Sequence, residues 1–292
     1  MKEDILVSIM AFSYNSENYI IDLLESIKAQ TYQNIEFILS DDASTDQTVA
    51  LAEAWIAENK ERFVRTCIRK SEKNQGPTKN VNEGFKLCRG TYIKQLAADD
   101  KFAPDCVEVM LKACEEHQYQ VLFGCMQSFG RDGKLLDMPI NKDFFELSAK
   151  EQYQHLLEVN DAQAPTAFFR RSFLEEMHYY EEQYPFMEDY PFWLRTTKAG
   201  IPLRLCDYVV VHYRRNEESL TSTTNEKVVG KNYFKTYKKF FYRKKFFPLI
   251  RYKKIRILCR EIKEFIYKDL ILLFGNKRNS KATSTLHKLF YS

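Results

Sequence analysis

From Ile5 to His117 the chain alternates short apolar runs with segments of helical periodicity, and that alternation narrows it to an α/β architecture. Ile5 to Met10, Ile35 to Leu39, Phe63 to Ile68 and Thr91 to Leu96 have the length and residue types of buried strands. After the first strand, Tyr19, Ile20, Leu23, Leu24 and Ile27 recur at three- and four-residue spacing, as one face of a helix does. Ser44, with Gln47 three residues on, is a capping box that starts a helix over Thr45 to Asn59. Lys79 to Cys88 reads as a further helix, and Pro104 suits the first turn of one ending near His117. Elements in this order predict a mostly parallel sheet with helices on both faces. Ligands of such sheets bind beyond the carboxyl ends of the strands.

Beyond Tyr119 the pattern changes. Gln120 to Phe129 and Leu135-Leu136 flank Gly130-Arg131-Asp132-Gly133, which predicts a hairpin. A strand over Thr166 to Phe169, helices near 171–178 and 190–199, and a long strand over Leu203 to Tyr213 follow. Three acidic pairs stand at element ends: Asp41-Asp42 after the second strand, Asp99-Asp100 after the fourth, and Glu188-Asp189 before the late helix. Adjacent carboxylates at a strand end suit a divalent cation, and such a cation neutralises a diphosphate. Each pair also has a plainer reading. Asp41 and Asp42 suit a turn, Asp99-Asp100 a solvated turn before Pro104, and Asp189 a helix cap two residues before Pro191.

Taken together, these segments resemble the family 2 glycosyltransferases, inverting enzymes of the GT-A fold that include the bacterial surface-polysaccharide type. The resemblance rests on Val7-Ser8-Ile9-Met10-Ala11-Phe12-Ser13-Tyr14-Asn15, Ser40-Asp41-Asp42-Ala43-Ser44-Thr45-Asp46, Asn74-Gln75-Gly76 and Asn82-Glu83-Gly84. Gly90-Thr91-Tyr92-Ile93, Ala98-Asp99-Asp100 and Met187-Glu188-Asp189-Tyr190-Pro191-Phe192-Trp193 continue it in order, over roughly residues 5 to 222. The fold class it implies is α/β of GT-A type, with a nucleotide-sugar half over about 1–118 and an acceptor half over about 119–224.

The resemblance also implies roles. Tyr14 lies against the uracil of a UDP-sugar donor, Asp42 accepts from the uracil imide N–H, and Lys79 adds a cation near the phosphates. Asp100 binds Mn²⁺ or Mg²⁺ at the diphosphate, with Asp99 beside it towards ribose or sugar. Asp189 is the general base that takes the acceptor hydroxyl proton, and Glu188 positions the acceptor. Two departures from the family pattern stand out. Ala97 occupies a position that is often Asp, and Asn216 one that is often a metal-binding His, with His212 nearby. The loss of a carboxylate at Ala97 keeps a second class open, a catalytically weak nucleotide- or glycan-binding subunit of a complex.

Composition bounds the setting. The seven cysteines are odd in number and form no Cys-x-x-Cys pair, which predicts reduced thiols in a cytosolic protein. Neither a signal peptide nor the roughly 20 apolar residues of a spanning helix is read. Residues 225–292 hold 19 of the 44 basic residues and 4 of the 40 acidic ones, leaving 25 basic against 36 acidic before them. A split this sharp predicts that the two parts face different partners. The basic part, with Tyr233, Phe234, Tyr237, Phe240, Phe241, Tyr242, Phe246 and Phe247 among its cations, reads as helical. It suits an anionic membrane surface, holding the protein at the inner face of the membrane beside a saccharide or lipid-linked saccharide acceptor. Nucleic acid ranks second as its partner. Packing of its apolar face on the catalytic domain, or a homo-oligomer, is the third reading.

Overall fold

The computed structural model describes residues 5–215, 229–274, 276–278 and 280–291. Nine strands form one sheet: β1 (Val7–Ser13), β2 (Ile35–Asp41), β3 (Arg65–Lys70), β4 (Tyr92–Ala97), β5 (Lys101–Phe102), β6 (Val121–Phe129), β7 (Leu135–Asp137), β8 (Phe168–Arg170) and β9 (Arg204–Arg214). The order is β3-β2-β1-β4-β8-β6-β9-β5, with β7 paired to β6. The first four strands pair in parallel. Antiparallel pairing begins where β8 joins β4, and β6 runs antiparallel to β8 but parallel to β9. Parallel neighbours need crossovers, and these are α1 (Ile20–Lys28), α2 (Thr48–Asn59) and α3 (Pro77–Leu87). α4 (Cys106–His117), α5 (Lys142–Glu146), α6 (Ala149–Leu156), α7 (Arg171–Glu176) and α8 (Asp189–Lys198) complete the layers before residue 215.

Both faces of the sheet are covered, which is why β1 and β2 are buried almost throughout. Strand periodicity divides their side chains. Val7, Ile9, Ala11, Phe37 and Leu39 join one core with Leu23, Leu24 and Ile27 of α1, whereas Met10 and Ile38 join another with Phe85 and Trp193. The hairpin expected around Gly130 to Gly133 is formed by β6 and β7.

Three local expectations need correction. The second helix begins at Thr48 rather than Thr45, and Ser44 does not cap it. Its N–H and hydroxyl both donate to Asp41, while Asp46 accepts from the Thr48 N–H at 3.0 Å. The third strand starts at Arg65 rather than Phe63, because Phe63 turns inward to rest on Phe37 and Trp55, at ring distances of 5.8 and 6.2 Å. As the terminal strand of the sheet, β3 carries a polar, cationic sequence that suits an edge. Helix α4 starts at Cys106, beyond Pro104.

The basic C-terminal segment folds as α9 (Lys231–Phe240), a π-helical turn over Phe241–Lys245, α10 (Phe246–Arg251), α11 (Ile255–Leu273) and α12 (Lys281–Tyr291). Its aromatic face is not free. Phe234, Phe240, Phe241, Leu249, Phe265 and Ile271 are buried in the same core as Phe192 and Trp193 of α8. Lys244 pairs with Glu181 at 2.9 Å, Lys254 pairs with Glu158, and Lys239 donates to the Gln183 carbonyl. The charge split therefore places part of the basic segment against acidic residues of the preceding part, and not only against outside partners. The boundary expected near residue 224 lies outside the described residues. No helix among the described residues is long and apolar enough to cross a membrane.

Candidate active site

The site grows from the carboxyl end of β1. In the parallel register Ser13 stands beside Asp41 and Phe12 beside Ala97, so three strand ends finish level. The Asp42 N–H donates to the Ser13 carbonyl at 3.0 Å, and the Ala98 N–H to the Phe12 carbonyl at 3.0 Å. These bonds hold the loops after β2 and β4 on opposite sides of the β1 end. The chain leaves β1 towards β2 on one side and returns to β4 on the other, which makes this edge a topological switch point. Tyr14 follows β1 directly and is 49% exposed at the opening.

Asp41 and Asp42 do different things. Asp41 accepts from the Ser13 hydroxyl at 2.7 Å and from both the N–H and hydroxyl of Ser44, so its turn reading is the one its contacts support. Asp42 is buried and accepts the N–H groups of Gln75 and Gly76, each at 2.8 Å. That grip needs the backbone of Gly76 at φ +88°, a conformation open to glycine, directly before Pro77 starts α3. Each carboxylate oxygen of Asp42 keeps accepting capacity beyond its one backbone bond. Lys79 is half-buried in the first turn of the same helix.

Asp99 and Asp100 close the other side. Asp100 is 2% exposed and accepts the Arg214 N–H at 2.8 Å. Burial, then the neighbouring Asp99 charge, raises its pKa well above the carboxylate range, against the pull of Arg214 and Lys94. The Arg214 guanidinium donates to the Asp99 carbonyl at 2.8 Å and to Asp22 at 2.6 Å, and lies over the rings of Phe129 and Tyr19. Lys94, fully buried in β4, donates to the carbonyls of Pro165, Gln95 and Ala167. Burial lowers its pKa to about 8.

Two adjacent carboxylates offer hard oxygen ligands, which suit Mg²⁺ or Mn²⁺. Among the described residues no group of three or more His, Cys, Asp or Glu side chains could hold a metal ion. Mg²⁺ commonly keeps several waters and takes phosphate oxygens beside one or two carboxylates. His212 sits in β9 opposite Lys101 and Gln127, and burial, then Lys101, lowers its pKa. Asn216 lies outside the described residues.

Glu188 and Asp189 arrive from the far half of the chain. Thr78, one residue past Pro77, donates to Glu188 at 3.5 Å, which ties the pair to the start of α3. Asn160 donates to Asp189 at 3.1 Å. α8 begins at Asp189 itself, with no side-chain capping hydrogen bond at its N-cap. Tyr180 accepts from Gln95 of β4 at 2.8 Å, and burial, then the charges of Asp189 and Glu188, drives its pKa well up. Burial and the Asp189 charge raise Glu188 to about 7. Asp189 is raised as well, by burial, while the Tyr190 N–H and Asn160 act against the shift.

Tyr14, Asp42, Lys79, Asp99 and Asp100 thus border one sheet edge, and Thr78 and Tyr180 link Glu188 and Asp189 to it. Sequence reasoning missed Arg214, Asn160, Tyr180 and Lys94. A lysine in the middle of an otherwise apolar strand was the visible signal for Lys94. Asn160 lies in a stretch without periodicity, where its partner 29 residues away leaves no local trace.

The family model described as Glycosyl transferase family 2 matches residues 8–177. The chain is 34% identical over 141 residues to the chondroitin synthase of Escherichia coli, a match that covers 47% of this chain and 19% of that protein. It spans less than half the length of several of the curated relatives that it matches. S. aureus TarS, solved in complex with UDP-GlcNAc, superposes with a TM-score of 0.60 at 20% identity, covering 79% of this chain and 64% of that one. The mannosyltransferase PcManGT of Pyrobaculum calidifontis, solved with GDP-Man and Mn²⁺, gives 0.54 at 17% identity over 74% of this chain and 58% of that one. Those likenesses bear out the GT-A fold. With more than half of its residues matched by the family model, the chain belongs to glycosyl transferase family 2.

Proposed function

We propose that this protein is a metal-dependent inverting glycosyltransferase that moves a sugar from a UDP-sugar to a saccharide or lipid-linked saccharide in the synthesis of a surface polysaccharide. The observation that carries the reading is the gathering of Asp42, Asp99-Asp100 and Glu188-Asp189 around the switch point. The match to a protein family of sugar transferases and a neighbour solved with UDP-GlcNAc support it.

In this reading Tyr14 stacks on the uracil and Asp42 accepts its imide N–H while keeping the Gln75 and Gly76 bonds. Lys79 adds positive charge near the phosphates. Asp100, with Asp99, would hold Mg²⁺ or Mn²⁺, which would offset the charge gathering on the diphosphate. Asp189 accepts the proton of the acceptor hydroxyl as that oxygen bonds to the anomeric carbon and the bond from that carbon to the phosphate oxygen breaks on the opposite face. Asn160 keeps the Asp189 carboxylate aimed, and Glu188 holds the acceptor. The exposed Phe247, Ile250 and Ile255, beside exposed Arg251, Lys253 and Arg256, support docking of the α10–α11 corner on an anionic inner leaflet.

Calorimetric titration of UDP, GDP and UDP-sugars with and without Mn²⁺ tests the reading. The expected result is manganese-dependent uridine nucleotide binding that Asp100→Ala abolishes. Asp189→Asn should keep that binding and lose turnover by about a hundredfold or more. No nucleotide binding under any condition overturns the transferase. Turnover that survives Asp189→Asn removes the proposed base, and no turnover in the wild type with intact donor binding favours a nucleotide-binding subunit.

A further inference from the structure

We infer that Tyr233 of α9, with Tyr237 stacked behind it, forms the floor on which a pyranose ring of the acceptor lies beside Glu188 and Asp189, so that the basic C-terminal segment completes the acceptor subsite. The inference rests on the transferase reading and adds a residue outside the family match, which ends at residue 177.

The geometry starts from α8. Tyr190 follows Asp189 in the chain, and its ring lies 5.0 Å from that of Phe240 in α9, with Tyr184 5.6 Å from Phe240 on another side. Lys245 is fully buried and donates to the hydroxyls of Tyr190 and Tyr237, at 3.1 and 3.3 Å. The Tyr237 hydroxyl donates in turn to Glu261 of α11 at 3.1 Å. A polar bolt inside an aromatic shell therefore fixes α9 against the residue next to the proposed base. One turn earlier on α9, the Tyr233 ring lies parallel to that of Tyr237, 6.5 Å apart and tilted by 7°.

Tyr233 differs from the residues behind it. Phe234 and Phe240 of the same helix are buried, whereas Tyr233 is 45% exposed. Partial burial, then the charges of Asp189 and Glu188, pushes its phenol pKa up. An aromatic face open to solvent, braced from behind and joined through Tyr237 and Lys245 to Tyr190, the residue after the proposed base, suits a ring with an apolar C–H face and hydroxyl edges. A pyranose has both. Stacked there, it would turn a hydroxyl towards Asp189.

The test uses the full chain and three simple probes: methyl β-D-glucopyranoside, methyl β-D-galactopyranoside and methyl N-acetyl-β-D-glucosaminide. Saturation-transfer NMR reads contact with their C–H faces in the presence of UDP and Mn²⁺. Calorimetry of UDP with Mn²⁺ on the same samples reads the donor site separately. The expected result is contact with at least one glycoside, weakened about tenfold by Tyr233→Ala and kept by Tyr233→Phe, with UDP affinity unchanged in both variants. Equal contact in Tyr233→Ala, or no contact of any probe with the wild type, overturns the platform. So does an equal loss in Tyr233→Phe, which would assign the contact to the hydroxyl. Failure of the wild type to bind UDP would instead undo the transferase reading on which the platform rests.

Discussion

At Glu188 and Asp189 two carboxyl groups share a half-buried corner, where burial, then the Asp189 charge, makes Glu188 harder to ionise, and burial makes Asp189 harder to ionise. Glu188 loses its proton near pH 7, and Asp189 loses its own above the usual carboxylate range. An enzyme using Asp189 as its base should therefore gain activity as the pH rises, with the acidic limb above the usual carboxylate range. Glu188→Gln should leave that limb where it is, because burial and not Glu188 raises Asp189, so wild type and variant should both gain kcat/KM over the same range as the pH rises, which a pH–rate profile reads directly. Stability should move the opposite way. A carboxyl group whose folded pKa exceeds its unfolded value stabilises the fold below the unfolded value, near 4.5, and that contribution disappears as the pH rises to about 7. Urea midpoints at pH 5 and pH 8 should show the wild type losing on the order of 2 kcal/mol relative to Glu188→Gln.

At the scale of elements, the start of α3 does the most for the proposed donor side. Gly76, Pro77, Thr78 and Lys79 turn a helix N-terminus towards the switch point, where its dipole favours negative charge. Asp42 uses two N–H groups of the entering loop, and Thr78 reaches across to Glu188. The bends that allow this are local, as Gly76 at φ +88° illustrates. A Cβ there meets no atom within 4 Å, so Gly76→Ala should cost only backbone strain, about 1–2 kcal/mol. Relief of that strain would rotate the N–H away from Asp42, so uridine nucleotide affinity should fall several-fold. Gly133→Ala is the control: it lies at φ +69° in the β6–β7 turn, with equal room and no link to the site. Thermal unfolding should shift alike for both variants, while calorimetry with UDP should separate them.

For the whole molecule, the C-terminal helices matter more than a charged appendage would. Their inner face shares a core with α8, and their cations answer Glu181 and Glu158. What remains outward is a second set of aromatic, aliphatic and basic residues, including Phe247, which is 73% exposed. A segment that braces α8 inside and meets a leaflet outside would couple the position of the site to the membrane that holds a lipid-linked acceptor. The double variant Phe247→Glu with Ile250→Glu should weaken binding to vesicles containing anionic lipid by about tenfold or more, as read by flotation. Its melting temperature should stay near that of the wild type, because both side chains already face solvent.

Much of the first half was legible because its signals are local. Apolar runs of strand length, helical spacing and Asp pairs at strand ends all act within a few residues of themselves. The same logic misjudged Ser44 and Phe63. Their local patterns were sound, but Asp41 and the Phe37–Trp55 surface recruited them for tertiary contacts. Arg214 beside Asp99-Asp100, Asn160 on Asp189 and Tyr180 on Gln95 join residues 29 to 115 positions apart, and nothing in the local sequence marks such pairs. The basic segment shows the division most plainly. Its charge and aromatic content were determined by the sequence alone, since they are counts and spacings. Which face turns inward to bolt against Tyr190, and which stays out, was decided only by the tertiary structure. Burial is settled by what another part of the chain presents, and that competition takes place only in the folded molecule.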